Sequence, residues 1–291
     1  MSATFDYTGI IGVGLVGTAL AERFLAGGLR VVGFDIDAGR NEQLKQLGGR
    51  VAASAAEVAR QSRRIVLSLP TSAIAGAVLD EIEPQLAPGT IVIDTTTGAP
   101  EDIAGFGERL AARGVPYLDA TIGGSSRQVR EGDVIVLCGG ERAAFDACQD
   151  LFAHFSKRTF HLGPCASGAR MKLVLNLVLG LNRAVLAEGL TYAKARGIDP
   201  ATALEVLKAG PAYSRVMDTK GAKMLNQEFS AEARLSQHLK DVRLILASAE
   251  QSGAWLPLSA LHRELLEKAE AAGFGAADNS AIIKAFEREI R

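Results

Sequence analysis

Two groups of residues could carry chemistry, and they lie in opposite halves of the 291-residue chain. The first is the glycine motif GVGLVG, Gly12–Gly17. Glycines at this spacing let a backbone turn approach a pyrophosphate, and the helix that follows offers its N-terminal N–H groups. The motif therefore indicates a phosphate-binding loop.

The second group is the pair Lys172 and Asn176, which share one face of a predicted helix because they are four residues apart. Their neighbours are mostly apolar. A lysine in such a setting can exchange a proton with a substrate oxygen near neutral pH. From the periodicity alone, an exposed Lys–Asn pair on an amphipathic helix explains the pattern equally well.

The glycine motif lies in the sequence context that a dinucleotide-binding fold requires. An apolar strand precedes it, an Ala/Leu-rich helix follows it, and a second strand ends before an acidic residue. The cofactor-binding residues that this context predicts are Gly12, Gly14, Leu15, Val16, Gly17 and Asp35. The first glycine permits a tight turn, the second lets the pyrophosphate approach, and the third lets the helix pack on the strand. A glycine-rich turn without a ligand is the alternative, which the strand–helix–strand context disfavours.

Asp35 indicates which dinucleotide binds. Its carboxylate can accept hydrogen bonds from the adenosine ribose hydroxyls, and it would repel a 2′-phosphate by about 1–4 kcal/mol. Asp37 adds negative charge, whereas Arg40 could reach a 2′-phosphate. We therefore expect NAD as the cofactor in preference to NADP.

Short β-branched runs alternate with Ala/Leu-rich stretches in the first half, which indicates a parallel sheet covered by helices on both faces. The predicted strands are 10–13, 31–34, 65–69, 91–94 and 134–138, and the predicted helices among them are 17–26, 38–47, 72–82, 100–113 and 141–155. After about Gly163, helices alone are predicted, over 167–195, from 199, and over 214–224, 230–252 and 257–272. The predicted fold class is α/β: a doubly wound, mainly parallel Rossmann sheet over residues 1–164, then an all-helical domain over 165–291, joined by a long interdomain helix.

Composition and charge argue against several classes of protein. Hydrophobic residues make up 48% and charged residues 22%, with a formal net charge of -1, so nothing indicates binding to nucleic acid or to an anionic membrane. Polar residues interrupt the longest apolar stretch, and no basic region precedes an apolar run at the N-terminus, so neither a membrane span nor a secretory signal is expected.

Cysteine and histidine spacing gives no sign of a disulfide framework or a metal site. The three cysteines (Cys138, Cys148 and Cys165) are far apart and lack a CxxC pattern. The four histidines form no i,i+4 pair, and each is interpreted as a surface or partly buried residue. We expect a reduced, cytoplasmic protein without a metal.

Six motifs in order resemble those of the β-hydroxyacid dehydrogenases, the family of 3-hydroxyisobutyrate dehydrogenase and tartronate semialdehyde reductase. The resemblance spans nearly the whole chain. The motifs are GVGLVG with Asp35; SLP, Ser68–Pro70; DTTTGAP, Asp94–Pro100; DATIGG, Asp119–Gly124; the helix with Lys172 and Asn176; and the Lys240–Asp241 pair in HLKDVRLILA.

This resemblance implies a role for each matched residue. Lys172 is the implied general acid and base on the substrate oxygen. Substrate contacts are implied for Gly123, Gly124, Ser125 and Asn176, and further cofactor contacts for Leu69, Pro70, Thr96 and Lys240. The implied activity is reversible hydride transfer between NAD(H) and a small, anionic 3-hydroxy acid or its semialdehyde. A homodimer or homotetramer formed through the helical domain is also implied.

The substrate loop departs from the family pattern. Gly123 replaces a serine that contacts the substrate carboxylate, and Thr121 replaces a proline, which argues against ordinary 3-hydroxyisobutyrate as the substrate. The sulfolactaldehyde reductases resemble this chain in having a glycine followed by hydroxyl residues, but they carry an arginine where this chain has Gly124. Arg127 could supply a cation only if the loop turns it inward.

Three alternatives to a hydroxyacid dehydrogenase stay open. The first is a sulfolactaldehyde-type or other semialdehyde reductase. The second is an imine reductase, which the presence of Lys172 disfavours because that group commonly replaces the lysine. The third is a non-catalytic dinucleotide-binding module, which the intact Lys172–Asn176 pair disfavours.

Overall fold

The computed structural model describes residues 7–287. They form two compact units, and the boundary between the units falls between Lys172 and Leu173, inside one long helix. The predicted domain boundary at residues 164 and 165 lies just before that helix begins and stays a prediction.

The first unit contains a sheet of eight strands among the described residues. The strands are β1 (Tyr7–Ile11), β2 (Val31–Phe34), β3 (Arg50–Val51), β4 (Ser62–Leu67), β5 (Ile91–Asp94), β6 (Tyr117–Gly123), β7 (Val134–Gly139) and β8 (Ser156–His161). Their spatial order is β3-β2-β1-β4-β5-β6-β7-β8. All neighbouring pairs are parallel except β6 with β7, which is antiparallel. The predicted fold class, a doubly wound and mainly parallel sheet with a helical domain after it, is confirmed.

Helices cover the sheet because successive apolar residues of each strand face opposite sides. The helices of this unit are α1 (Leu15–Ala26), α2 (Ala38–Gln46), α3 (Ala55–Gln61), α4 (Ser72–Ile82), α5 (Pro100–Ala111), α6 (Ser126–Glu131), α7 (Arg142–Asp146) and α8 (Gln149–Ala153). Ile10 of β1 packs in a core cluster with Phe24 of α1 and Phe152 of α8. Its neighbour Ile11 packs in a second cluster with Leu79 of α4.

The strand order reverses direction at β1, which lies between β2 and β4 although β2 and β3 follow it in sequence. In doubly wound sheets, ligands bind at such a switch point, outside the carboxyl ends of the strands. The loops that follow β1, β2, β4, β5 and β6 therefore meet at the edge of the sheet where a ligand is expected.

The predicted elements differ from the structure in several places. The segment DATIGG, interpreted as a substrate loop, lies almost entirely in strand β6 and only its last residue follows the strand. The single helix predicted over 141–155 is two short helices, α7 and α8, with a break at Ala147 and Cys148. Strands β3 and β8 and helices α3 and α6 were not predicted.

The second unit is helical throughout its described part. Its helices are the greater part of α9 (Ser167–Ala195), then α10 (Pro200–Ala209), α11 (Arg215–Asn226), α12 (Leu235–Ser252) and α13 (Pro257–Ala269), with short irregular helices at Glu270–Phe274 and Asn279–Ala285. Leu239 of α12, Leu266 of α13 and Ile282 are fully or almost fully buried and belong to one core cluster. The predicted helix 167–195 has the observed bounds of α9.

Helix α9 is the one helix in the described part of the chain that is long and apolar enough to cross a membrane by length and composition. Core helices of soluble proteins pass the same test, and 44% of its most apolar window is buried in the structure. The polar residues Lys172, Asn176 and Arg183 of this helix are also buried.

Candidate active site

The three glycines of the phosphate loop have the three surroundings that a dinucleotide requires. Gly12 has a φ of 90°, and a Cβ there would lie 2.3 Å from the Ser68 carbonyl oxygen. A Cβ at Gly17 would lie 2.0 Å from the Gly12 carbonyl oxygen, so α1 packs directly on the loop. Around Gly14, a Cβ would meet no heavy atom of the described residues within 4 Å. The open face of Gly14 fits the approach of a pyrophosphate.

Helix α1 begins at Leu15, so Leu15, Val16 and Gly17 form its first turn. The N-terminal N–H groups of a helix have no acceptor within the helix. At the N-cap, Gly14, no side chain among residues 7–287 caps these groups, and the first turn contains no acidic residue. The positive end of α1 therefore faces the open side of Gly14, and the residues present fit a nicotinamide dinucleotide.

Asp35 follows strand β2, and its carboxylate is held by backbone groups. Val13 N–H donates to Oδ2 at 2.6 Å and Asp37 N–H donates to Oδ1 at 2.9 Å. Asn41 fixes the backbone, because its side chain both donates to the Asp35 carbonyl and accepts from the Asp35 N–H. The carboxylate thus lies beside the phosphate loop. Arg40, on α2, donates to Gln43 Oε1 at 3.2 Å.

The predicted cofactor contacts Leu69, Pro70 and Thr96 lie just after the carboxyl ends of β4 and β5. Leu69 N–H donates to Thr96 Oγ1 at 3.2 Å, and Thr96 N–H donates to Asp94 Oδ1 at 2.8 Å. These bonds join the two loops at the edge of the sheet that also carries Gly12. Their contact with a cofactor stays a prediction.

The predicted substrate loop is tightly built. Gly123 ends β6, and Ser125 caps α6 in a capping box with Gln128. A Cβ at Gly124 would lie 2.5 Å from Val134 Cγ1, so the arginine that sulfolactaldehyde reductases carry here would clash with the Val134 side chain as it stands. Arg127, considered as a substitute cation, forms an ion pair with Glu131 at 3.2 Å and is half-exposed.

Lys172 lies on α9 and is 8% exposed. Its Nζ donates to the carbonyl oxygen of Ile122, the next-to-last residue of β6, at 2.7 Å. The interpretation of Lys172 as an exposed residue of an amphipathic helix does not agree with this burial. The ammonium or amine group is held against the predicted substrate loop, where it can exchange a proton with a bound substrate.

Asp119 holds the start of α9 in place. Its Oδ1 accepts from Ala166 N–H at 3.0 Å and its Oδ2 accepts from Ala169 N–H at 2.7 Å. Burial raises the pKa of Asp119 from 3.8 to about 6, against the two backbone hydrogen bonds that lower it, and Asp94 adds a repulsive charge. The Thr121 hydroxyl also donates to the Gly168 carbonyl at 3.3 Å, which gives the threonine in place of the family's proline a structural role.

In the second unit, Asp241 brings together the two residues predicted there. Asn176 Nδ2 donates to Asp241 Oδ2 at 2.9 Å, and Lys240 Nζ forms an ion pair with Asp241 Oδ1 at 2.9 Å. Asn176 and Asp241 are buried. The carboxylate therefore orients the Asn176 amide and neutralises the Lys240 charge.

Sequence reasoning singled out neither Asp119 nor Asp241 as a site residue, although both stand in the motifs that it quoted. The signal was an acidic residue inside an apolar segment, which is costly to bury without partners. The motif-based predictions named the residues that could touch a ligand and omitted those that orient them. Within residues 7–287, no group of three or more His, Cys, Asp or Glu residues is placed to hold a metal ion.

The chain matches two family models. The first describes the NAD binding domain of 6-phosphogluconate dehydrogenase and matches residues 7–163. The second describes the NAD-binding of NADP-dependent 3-hydroxyisobutyrate dehydrogenase and matches residues 166–286. The first match covers the sheet and the second begins one residue before α9.

Curated relatives of similar length are reductases and dehydrogenases. A glyoxylate/succinic semialdehyde reductase of Arabidopsis thaliana is 29% identical, with 97% of this chain and 99% of the relative covered. A 2-(hydroxymethyl)glutarate dehydrogenase of Eubacterium barkeri is 28% identical, with 96% and 94% covered. These relatives match along their whole length.

Two solved structures bear on the fold. A 3-hydroxyisobutyrate dehydrogenase from Salmonella typhimurium has a TM-score of 0.87 at 24% identity, with 96% of this chain and 99% of that chain covered. A structure described as a complex with NADP+ and 2-OPP has a TM-score of 0.88 at 22% identity, with 96% and 100% covered. The fold of this chain is therefore shared by proteins with a bound nicotinamide dinucleotide.

Proposed function

The chain belongs to the β-hydroxyacid dehydrogenase family and is an NAD(P)-dependent oxidoreductase of hydroxy acids, and from this premise we propose its cofactor, its substrate class and its acid–base residue. The enzyme transfers a hydride reversibly between NAD(H) and a small, anionic 3-hydroxy acid or its semialdehyde. Lys172 is the general acid and base. The observation that carries this proposal is the buried Lys172 Nζ, held 2.7 Å from the Ile122 carbonyl oxygen beside the predicted substrate loop.

Lys172, Asn176 and Asp241 each have a separate role in the reaction. In the oxidation direction, neutral Lys172 Nζ accepts the proton of the substrate hydroxyl while a carbonyl group forms. A nicotinamide dinucleotide, which the phosphate loop and Asp35 would hold, would supply the hydride chemistry at the same carbon. In the reduction direction, the Lys172 ammonium returns the proton to the carbonyl oxygen. Asn176 hydrogen-bonds the substrate, and Asp241 keeps the Asn176 amide oriented.

Substitution of Lys172 tests the proposal. We expect Lys172→Ala to lower kcat by roughly 10²- to 10⁴-fold, the usual contribution of a general acid or base. NADH binding should change less than about twofold, because Lys172 makes no part of the phosphate loop. The assay is NAD-linked absorbance over a panel of 3-hydroxy acids and semialdehydes, with NADH fluorescence titration beside it. Lys194→Ala, in the last turn of the same helix, is the matched control; retention of most of kcat in Lys172→Ala would contradict the proposal.

Asp35 supports NAD in preference to NADP. Its carboxylate lies beside the phosphate loop, at the end of β2, where a 2′-phosphate would meet it. We expect kcat/KM with NADH to exceed that with NADPH by roughly 10-fold or more, since a charge contact of this kind is worth about 1–4 kcal/mol. Asp35→Ser should reduce the preference, and Arg40→Ala should not. Equal use of both cofactors by the wild-type enzyme would rule out this role of Asp35.

Three alternative functions are either disfavoured by the structure or can be tested by assay. The substrate carries a carboxylate, and the clash of a Gly124 Cβ with the Val134 side chain disfavours a sulfolactaldehyde-type reductase with an arginine at this position. A cyclic-imine assay distinguishes the enzyme from an imine reductase, and any turnover at all distinguishes it from a non-catalytic dinucleotide-binding module.

We also propose a cytoplasmic homodimer or homotetramer that binds neither nucleic acid nor a membrane. The cysteines Cys138, Cys148 and Cys165 are free thiols, which supports a reducing compartment. An exposed apolar stripe on α9 supports self-association. It consists of Val174, Val178, Val185 and Tyr192, which are 50–67% exposed.

A further inference from the structure

Arg183 is a buried cation in the second unit. It lies on α9 and is 3% exposed. Its Nε and Nη1 atoms have no hydrogen-bond partner within residues 7–287. A guanidinium group removed from water without an acceptor is strongly unfavourable, so a buried arginine is normally paired with a carboxylate or another oxyanion.

The nearby acidic side chain is already engaged. Asp278 is the acidic residue whose charge acts on Arg183. However, both of its carboxylate oxygens accept from Lys220 Nζ at 2.9 Å, and Ser280 donates to it as well. Burial lowers the pKa of Arg183 to about 10, which still leaves the group charged at neutral pH. The arginine therefore presents a positive charge that its direct neighbours do not neutralise.

Two histidines from different helices complete the cluster. His238 of α12 and His262 of α13 are buried, and their ring centroids are 5.2 Å apart. Gly180 makes room for both, because a Cβ there would lie 2.4 Å from His238 Nε2 and 2.7 Å from His262 Cε1. His262 Nε2 has no hydrogen-bond partner in the described part of the chain. Burial, and then the charge of Arg183, lowers the pKa of His262 to about 4. The expectation that both histidines are surface or partly buried residues is therefore wrong.

The cluster adjoins the residue predicted to hold the substrate. Asn176, Gly180 and Arg183 are spaced by four and three residues, so they follow one another on one face of α9. On α12, His238 precedes Asp241 by three residues, and Asp241 accepts the hydrogen bond of the Asn176 amide. In helices, long side chains point back toward the N-terminus, which directs the guanidinium group toward Asn176.

We propose that Arg183, with His238 and His262, forms an oxyanion site in the second unit, and that its occupant is a second carboxylate of the substrate. An arginine N–H donates a charge-assisted hydrogen bond to a carboxylate, and Nε and Nη1, which have no partner within residues 7–287, are both available for it. The substrate is then a dicarboxylic 3-hydroxy acid or its semialdehyde. This inference rests on the proposed function, since it assumes that Asn176 contacts the substrate.

A matched pair of substrates tests the site. 2-(Hydroxymethyl)glutarate and 2-(hydroxymethyl)butyrate carry the same hydroxymethyl and carboxylate groups, and the first extends its side chain to a second carboxylate. We expect the wild-type enzyme to show a kcat/KM at least roughly 10-fold higher for the dicarboxylate, the usual effect of a charged hydrogen bond. Arg183→Met should remove this preference and leave kcat/KM for the monocarboxylate unchanged. Arg243→Met is the control, because Arg243 is an exposed arginine of α12 paired with Glu267.

The outcomes separate the inference from the proposed function. An equal kcat/KM for both compounds in the wild type, or an unchanged ratio in Arg183→Met, overturns the inference while the dehydrogenase activity stands. Failure of every hydroxy acid and semialdehyde in the panel overturns the proposed function instead. If phosphate or chloride raises the Tm of the wild type and not of Arg183→Met, and the two substrates are used equally, the site binds a free anion and the substrate assignment is wrong.

Folding of the variant is checked in the same experiment. Replacing an unpaired buried charge by an apolar side chain of similar size is neutral or stabilising. The Tm of Arg183→Met in anion-free buffer should therefore equal or exceed that of the wild type. If that variant does not fold, Arg183→Lys keeps the charge but loses the Nε and Nη1 donors, and it should retain only part of the dicarboxylate preference. Full retention in Arg183→Lys would contradict hydrogen bonding of the carboxylate by Nε or Nη1.

Discussion

Gly14 and Gly17 lie in the same loop, yet a methyl group added to each would meet different surroundings. At Gly17 it would lie 2.0 Å from the Gly12 carbonyl oxygen, a backbone atom that cannot move without shifting α1 or β1. At Gly14 it would extend into the space that we assign to the pyrophosphate, with no heavy atom of the described residues within 4 Å. The two glycines thus separate packing from ligand binding.

This difference predicts opposite effects of two alanine substitutions. Gly17→Ala should lower the free energy of unfolding by about 1–3 kcal/mol, the usual cost of overpacking. Gly14→Ala should leave it within about 0.5 kcal/mol of the wild type, yet weaken NADH binding by roughly 10-fold or more, because the close approach of the phosphate is blocked. Urea unfolding and NADH titration of both variants measure this. Wild-type NADH affinity in Gly14→Ala would show that the pyrophosphate lies elsewhere.

The role of these glycines could be predicted from the sequence because each depends on a few residues nearby in the chain. Arg183 shows the limit of such reasoning. In the sequence it is one of several polar residues that interrupt an apolar stretch. Its importance depends on His238 and His262, which come from two other helices, and on Lys220, which engages Asp278. Long-range packing of this kind leaves no pattern in the spacing of residues along the chain.

At the level of elements, helix α9 is positioned by strand β6. Asp119 accepts two hydrogen bonds from the start of the helix, and Ala166, which donates one of them, has a φ of 73°. An alanine reaches this left-handed region at a cost of about 1–2 kcal/mol. The Asp119 carboxylate offsets that cost and sets where α9 begins. Lys172 lies one turn further along, and its Nζ returns to the same strand at Ile122.

Asp119 also predicts a pH dependence of stability. Because its pKa in the folded protein is about 6 and its ordinary value is 3.8, the folded state binds more protons between these pH values. Stability from this group is thus fully present below about pH 4 and is lost as the pH rises through about 6. The shift corresponds to about 3 kcal/mol. We expect the free energy of unfolding of the wild type, minus that of Asp119→Asn, to fall by up to this amount between pH 4 and pH 7. Urea unfolding at both pH values measures it, and a difference that rises with pH would contradict the assignment.

Asp119→Asn should also lower kcat, since an amide oxygen replaces only one of the two acceptors at the start of α9. A misplacement of Lys172 by a fraction of an ångström lowers kcat by roughly 10-fold. NADH binding should be unchanged, as Asp119 does not belong to the phosphate loop. If stability alone changes and kcat does not, Asp119 serves the fold and does not position Lys172.

A helix or strand was predictable where its apolar residues repeat at one spacing over its whole length. Helix α9 was found with its correct bounds because apolar residues continue at helical spacing over its full length. Strand β6 was interpreted as a substrate loop on the resemblance of DATIGG to a family motif, and the polar residues Asp119 and Thr121 interrupt the apolar pattern that would indicate a strand. Both polar side chains are buried in the structure, where they bind the start of α9, so the polarity reflects a helix–strand junction and not exposure.

For the whole molecule, each unit carries a different part of the function. The first unit holds the phosphate loop, Asp35 and Lys172, and the second holds Asn176 with Asp241 and the Arg183 cluster. The first unit also holds the predicted substrate contacts Gly123, Gly124 and Ser125, and the second also holds the predicted cofactor contact Lys240. The departures from the family pattern concern the substrate, which is why the cofactor class was easier to predict than the compound that is oxidised.

Helix α9 has a second face that bears on assembly. Val174, Val178, Val185 and Tyr192 lie on one stripe because their spacings of four and seven residues return to the same side of a helix. The stripe is exposed, whereas Asn176 and Arg183, on the opposite side, are buried. An exposed apolar stripe of this length on a soluble protein usually marks an interface. We therefore expect the stripes of two chains to pack together in a homodimer.

Charge placed in this stripe should dissociate the dimer, because a carboxylate loses its hydration when the interface forms. We expect light scattering after size exclusion to give two or four times the mass of one chain for the wild type and half the wild-type mass for the double variant Val178→Glu, Val185→Glu. Ile74→Glu, on α4 of the first unit, is the control, since Ile74 is 43% exposed but lies outside the stripe. A double variant that keeps the wild-type mass would place the interface elsewhere. A monomeric wild type would overturn the proposed assembly and would show that the exposed stripe is not a subunit interface.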